Sequence, residues 1–176
     1  MRELQKHLEE LAARTGKDRW KTAMTEIAGH VAQTFKVPAE NVAILLRTDD
    51  SLRLKFEHPP VLAEGVNTFP LATASLAGEV VKSMRGLAEN KFIGTKHLAF
   101  YERIHKKDQS GAPIQKLLAA PIMSDQVCVG VIEVSRRGAS AAEAGPDFTH
   151  MDLTALGNIC SGIAGYLKQL RSLPRP

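Results

Sequence analysis

Glu133 is a carboxylate set in an otherwise apolar strand, and it is the side chain in these 176 residues best placed for chemistry. It stands in VCVGVIEVSRR (127–137), where alternation puts it on one face with Val127, Val129 and Val131. A carboxylate in that setting must be paired, hydrogen-bonded or open to a wet cavity, or it costs several kcal/mol. Two readings stay open: contact with a ligand or pocket cation, and a structural pair with an Arg or Lys of a covering segment.

A second group lies between residues 85 and 112, where no helical or strand period holds. A long irregular stretch inside a compact domain is more often functional than idle. Phe92, Phe100 and Tyr101 can stack on a planar ligand or plug the same space as core. Asn90, Lys91, His97 and Arg103 can bind an anion or sit on a solvated lid. Glu102 and His105 have the spacing of half a dinuclear metal motif, but no second copy exists and no metal site is assigned. Cys128 and Cys160 fall on buried periodic positions, which favours packing, and two cysteines cannot build a disulfide framework or a four-cysteine zinc site. His7, His30, His58 and His150 read as surface residues. No Ser/His/Asp constellation, glycine-rich phosphate loop or nucleophile elbow is present. No catalytic residue is assigned, and no cofactor can be named.

The charge balance bears on the same segment. The chain has 23 Lys and Arg against 19 Asp and Glu, a net +4, too mild for a nucleic-acid binder. Residues 82–107 hold seven basic side chains and two acidic ones, or +5, so the remainder sums to −1. A local field of one sign attracts counter-charged ligands, which points to a small anionic molecule. With 44% hydrophobic and 24% charged residues the chain reads as one ordinary domain. It has no apolar run of membrane-spanning length, and its charged start lacks a signal-peptide core. The expectation is a cytoplasmic protein without membrane contact.

The elements that position these residues follow from pattern. Leu4, Leu8 and Leu11 share a face of a helix over 4–14. Trp20, Met24, Ile27, Val31 and Phe35 form the stripe of a second helix over 18–36. VAILLR (42–47) reads as a buried strand, and SLRLKFE alternates with Leu52, Leu54 and Phe56 inward, so the two make a hairpin. A third strand is expected near 66–71. A helix follows over 75–84, capped by Ser75, with Leu76, Val80 and Met84 on its stripe. Residues 114–123 and 127–137 make a second hairpin. The last helix runs from Thr149 to Arg171, with Thr149 and Asp152 as a capping box and an apolar seam from Leu153 to Leu170. Beside the seam, Gly157, Ser161 and Gly165 form a ridge that would let another element approach. Apolar residues beyond the seam (Met151, Ala155, Ile159, Tyr166) leave two readings open, cover for the sheet alone and a homodimer through the terminal helices. Hairpins build antiparallel sheets, so the class is α+β.

FPLATASLAGEVVKSMRGLAEN, LLAAPIMSDQVCVGVIEVSRRG and DFTHMDLTALGNICSGIAGYL together resemble, in order and spacing, a GAF domain. The resemblance spans roughly 20–170. It implies a GAF/PAS-like α+β fold: a central antiparallel sheet of about six strands, terminal helices on one face, and a loop and short-helix pocket roof on the other. It divides the chain into a helical extension (1–17), the domain (18–171) and a tail (172–176). GAF domains regulate by binding small molecules, or only dimerise. Asn90-Lys91 begins the cyclic-nucleotide signature, but the Asp-Glu expected after Phe100 is missing. Neither cysteine lies where a bilin would attach, and the sulfoxide-reductase branch needs more redox cysteines. The expected function is therefore a sensor in signal transduction, not an enzyme, with a dimerisation module and a reductase as its rivals.

Overall fold

The computed structural model describes residues 1–13, 18–64, 68–92 and 112–172. Two helices open the chain, α1 (Arg2–Ala13) and α2 (Arg19–Phe35), and a 3-10 turn (Ala39–Asn41) leads into β1 (Val42–Arg47). Then come β2 (Arg53–His58), α3 (Pro60–Ala63), β3 (Thr68–Pro70), α4 (Leu76–Ser83) and β4 (Leu87–Glu89). The long hairpin β5 (Ile114–Ser124) and β6 (Val127–Arg137) precedes the closing helix α5 (His150–Ser172). The six strands form one sheet in the order β3-β2-β1-β6-β5-β4, with every pair antiparallel.

β6 is central because its sequence is apolar on both faces and both faces are covered. On one side Val42, Ile44, Ile132 and Val134 pack against α1, α2 and α5 through Leu8, Ile27, Val31, Leu156 and Ile163. On the other side Leu45, Phe56 and Val131 meet Ala77, Val80 and Val81 of α4. Each fully buried Leu, Ile or Val contributes roughly 1.5–3 kcal/mol. Leu4, Leu8 and Leu11 of α1 belong to the same core as α2 and α5.

Local chemistry sets the boundaries. The β5–β6 connection is a two-residue turn with Asp125 and Gln126 both at positive φ (49° and 65°), which matches the right-handed twist of the hairpin. The capping box forms at α5: the Asp152 backbone N–H donates to Thr149 Oγ1 (3.1 Å), and the Thr149 N–H donates to Asp152 Oδ2 (2.7 Å). Ser75 caps α4 by accepting from the Gly78 N–H at 3.0 Å.

Several expectations change. Leu52 is not an inward strand residue; it sits in the β1–β2 turn and is 69% exposed. Met84 leaves the α4 stripe because it takes the left-handed conformation that ends the helix. The buried face there is Leu76, Ala77, Val80 and Val81. His58 is buried rather than superficial, its Nδ1 at 2.9 Å from the Val42 carbonyl oxygen. The edge strand β4 is new, three residues too short to show a period. On α5, Gly157 and Gly165 face open space among the described residues, and Gly162 is instead the glycine pressed by Met1, just before α1, and by Gln5 of α1. Ala155 and Tyr166 pack against the protein's own helical core, and Met151 is exposed.

Candidate functional site

The face of Glu133 depends on a fault in the hairpin. Ile122 pairs with Gly130 and Met123 with Cys128, so Val129 is an extra residue in β6 and the strand bulges there. Gly130 has no Cβ because β1 lies against it; an added carbon would strike the Leu45 carbonyl oxygen. The bulge inverts the alternation below it. Cys128 shares the α4 side with Val131, whereas Val129 packs toward the terminal helices, so the expected grouping of Val127 and Val129 with Glu133 does not hold.

Above the bulge, Glu133 points into a cavity of about 50 Å³ between the sheet and α4. One water needs roughly 10–15 Å³ by this kind of measure, so the space exceeds a single solvent molecule. Leu45, Phe56, Phe69, Phe92, Ile114 and Leu117 supply apolar walls, and Thr73 and Ser75 add hydroxyls from the segment that enters α4. Glu133 is the one charged side chain among the described residues that line it. It is 4% exposed. Its cross-strand neighbours are Ala43 on β1 and Ala119 on β5, neither of which carries a polar side-chain atom. No hydrogen bond or ion pair to its carboxylate occurs among the described residues. Burial pushes this carboxyl up to about 7, because the charged form loses its water without gaining a partner. Such a group is suited to receive a donor, or to gain a proton.

Phe92 lines the same cavity as Glu133, buried with its backbone N–H on the Gln115 carbonyl oxygen (3.0 Å). Asn90 does not line it. The Asn90 side chain is committed to the chain before α5, donating through Nδ2 to the Phe148 carbonyl oxygen (3.0 Å) and accepting from the Phe148 N–H (2.9 Å). Lys91 is exposed on the surface. His97, Phe100, Tyr101 and Arg103 lie outside the described residues, as do Glu102 and His105. Thr73 and Ser75 escaped sequence reading as cavity residues, although the capping signal at Ser75 located the turn that brings them there.

The thiols are poor nucleophiles. Cys128 and Cys160 are both buried and free. Burial raises the Cys128 thiol and takes Cys160 up to about 12, so neither forms a thiolate readily near neutral pH. Among the described residues no group of three His, Cys, Asp or Glu could hold a metal ion, and no helix is long and apolar enough to cross a membrane.

No sequence-family model and no curated protein sequence matches this chain. Solved structures do. The GAF domain of an Acinetobacter phosphoenolpyruvate-protein phosphotransferase is 14% identical with a TM-score of 0.67, over 97% of this chain and 94% of that one. Residues 122 to 287 of a methyl-accepting chemotaxis protein give 11% identity and a TM-score of 0.71, over 96% of each chain. The free methionine-R-sulfoxide reductase of Neisseria meningitidis, solved with its substrate, gives 17% and 0.61, over 97% of this chain and 89% of that one. The chain has a GAF-type fold. Among these neighbours the fold occurs in a domain of a phosphotransferase, in a chemotaxis protein and in a reductase, so chemistry has to be argued from the site.

Proposed function

We propose that this chain is a sensory domain of signal transduction that takes a small molecule in the Glu133 cavity. The observation that carries the reading is a buried carboxyl with no partner among the described residues, aimed into a space larger than one water. Leaving such a group unpaired costs stability, and a ligand donor repays that cost on binding. The ligand therefore offers Glu133 an ammonium or another hydrogen-bond donor, with an apolar body against Phe56, Phe69 and Phe92. The +5 excess of residues 82–107 supports a ligand that also carries an acidic group. The raised, buried thiols support binding over reductase chemistry. The reading includes a homodimer through the terminal helices, for which exposed Met151 and the open ridge of Gly157 and Gly165 are the support.

Native mass spectrometry of protein purified from its own cells, followed by identification of any released compound, tests the ligand. Retention by the wild type and loss in Glu133→Gln is the expected result. A wild type that carries nothing, and whose melting temperature no carboxylate, phosphate or amine compound shifts, would leave the dimerisation module as the function. Sedimentation equilibrium of the same protein decides between monomer and dimer.

A further inference from the structure

A polar clamp outside the cavity ties its wall to the terminal helices. Asn90 and Phe148 are 58 residues apart, yet the Asn90 amide makes both hydrogen bonds that the Phe148 backbone offers (3.0 and 2.9 Å). A side chain here does what a neighbouring strand would do. Asn90 directly follows β4, and two residues on, Phe92 contributes its ring to the cavity wall. Phe148 directly precedes the Thr149 cap of α5. Its ring meets Phe35, the last residue of α2, edge to face at 6.4 Å between centroids. The Arg136 guanidinium lies over the same ring at 4.3 Å and also reaches the Phe35 carbonyl oxygen. One amide thus connects a residue that lines the cavity to the start of α5 and the end of α2.

We propose that Asn90 is a coupling residue: displacement of Phe92 at the cavity wall is passed through the Asn90–Phe148 clamp to the first turn of α5. The inference rests on the cavity being the sensing site. Two opposed hydrogen bonds fix both the distance and the direction between the segments, which one bond would not. A shift at Phe92 therefore either carries Phe148 along or breaks the clamp, and in both cases the cap of α5 feels it.

Hydrogen–deuterium exchange of the full 176-residue chain tests this without a ligand. The amides of residues 148–153 are the readout, and those of β5 and β6 report that the fold is intact. Phe92→Leu alters the wall while leaving Asn90 in place. It is expected to speed exchange at 148–153 about fivefold, the scale of one lost hydrogen bond. Asn90→Ala speeds the same amides by itself, and adding Phe92→Leu to it produces no further rise there. Asn90→Asp, nearly isosteric and still able to accept from Phe148, serves as the second background and gives the same absence of further effect. An equal response to Phe92→Leu with and without Asn90 overturns the coupling, and so does no response with Asn90 present. Either failure leaves the ligand itself to be judged on the Glu133 experiment.

Discussion

Glu133 is paired across the β5–β6 ladder with Ala119, whose methyl group can make no hydrogen bond to the carboxylate. Ala43 stands in the same relation from β1. A carboxylate in the middle of a sheet ordinarily finds its partner on an adjacent strand, one residue across. Two alanines in those places leave Glu133 to the cavity. That arrangement makes a specific substitution informative.

Ala119→Asn places an amide donor beside Glu133. The carboxyl then titrates below its present position near 7, and the protein loses affinity for any molecule that donates to Glu133. Carbon NMR of labelled glutamate reads the titration, and native mass spectrometry reads the ligand. The larger side chain in a filled core costs about 1–3 kcal/mol. Titration unchanged in the folded variant would mean that the carboxylate is not open to a neighbour on β5.

The same carboxyl dictates a pH dependence. Its pKa rises from 4.5 in the ordinary state to about 7 when folded, so between these values the folded chain holds a proton that the unfolded chain has released. Its contribution to stability is largest below pH 4.5, falls as pH rises toward 7, and is constant above, a difference of about 3 kcal/mol. Glu133→Gln removes this slope and is more stable than the wild type at pH 8. Urea unfolding at pH 5 and pH 8 measures both.

His58 acts in the opposite direction. Burial lowers its pKa from 6.5, although its contact with the Val42 carbonyl opposes that shift. Below pH 6.5 the unfolded chain takes up a proton that the folded ring resists, so stability is lost as pH falls below that point. His58→Gln flattens the acid limb of the stability curve while leaving the Glu133 slope in place. An acid limb identical to the wild type would assign the ring's titration no part in folding.

The thiols give a fourth, simpler expectation. With both cysteines buried and raised, a disulfide exchange reagent at pH 8 labels neither in the native protein within minutes, and labels both once guanidinium unfolds it. Fast labelling of Cys128 in the native state would reopen the redox reading.

Much of the fold is legible residue by residue. The stripe from Trp20 to Phe35, the seam from Leu153 to Leu170, the turn between residues 123 and 127 and the Thr149–Asp152 box are local patterns with local causes. Each reappears in place because a helix cap or a two-residue turn is settled within a few residues. β4 and the exposure of Leu52 were not legible, since three paired residues make no period and a turn residue can continue an alternating pattern by chance. Glu133 could be singled out as a charge in an apolar strand, and Phe92 as an aromatic in an irregular stretch.

Which residues they meet was decided elsewhere. The extra residue at Val129 changes which side chains share a face, and it exists only in the pairing of β6 with β5. Sequence alone established an antiparallel α+β domain with one misplaced carboxylate and a basic segment, because periodicity and turn chemistry are properties of neighbours along the chain. Tertiary structure alone placed Ala43 and Ala119 beside that carboxylate and the Asn90 amide on Phe148. Register between strands and contacts across 58 residues depend on how distant segments close on one another, and no local pattern encodes that distance.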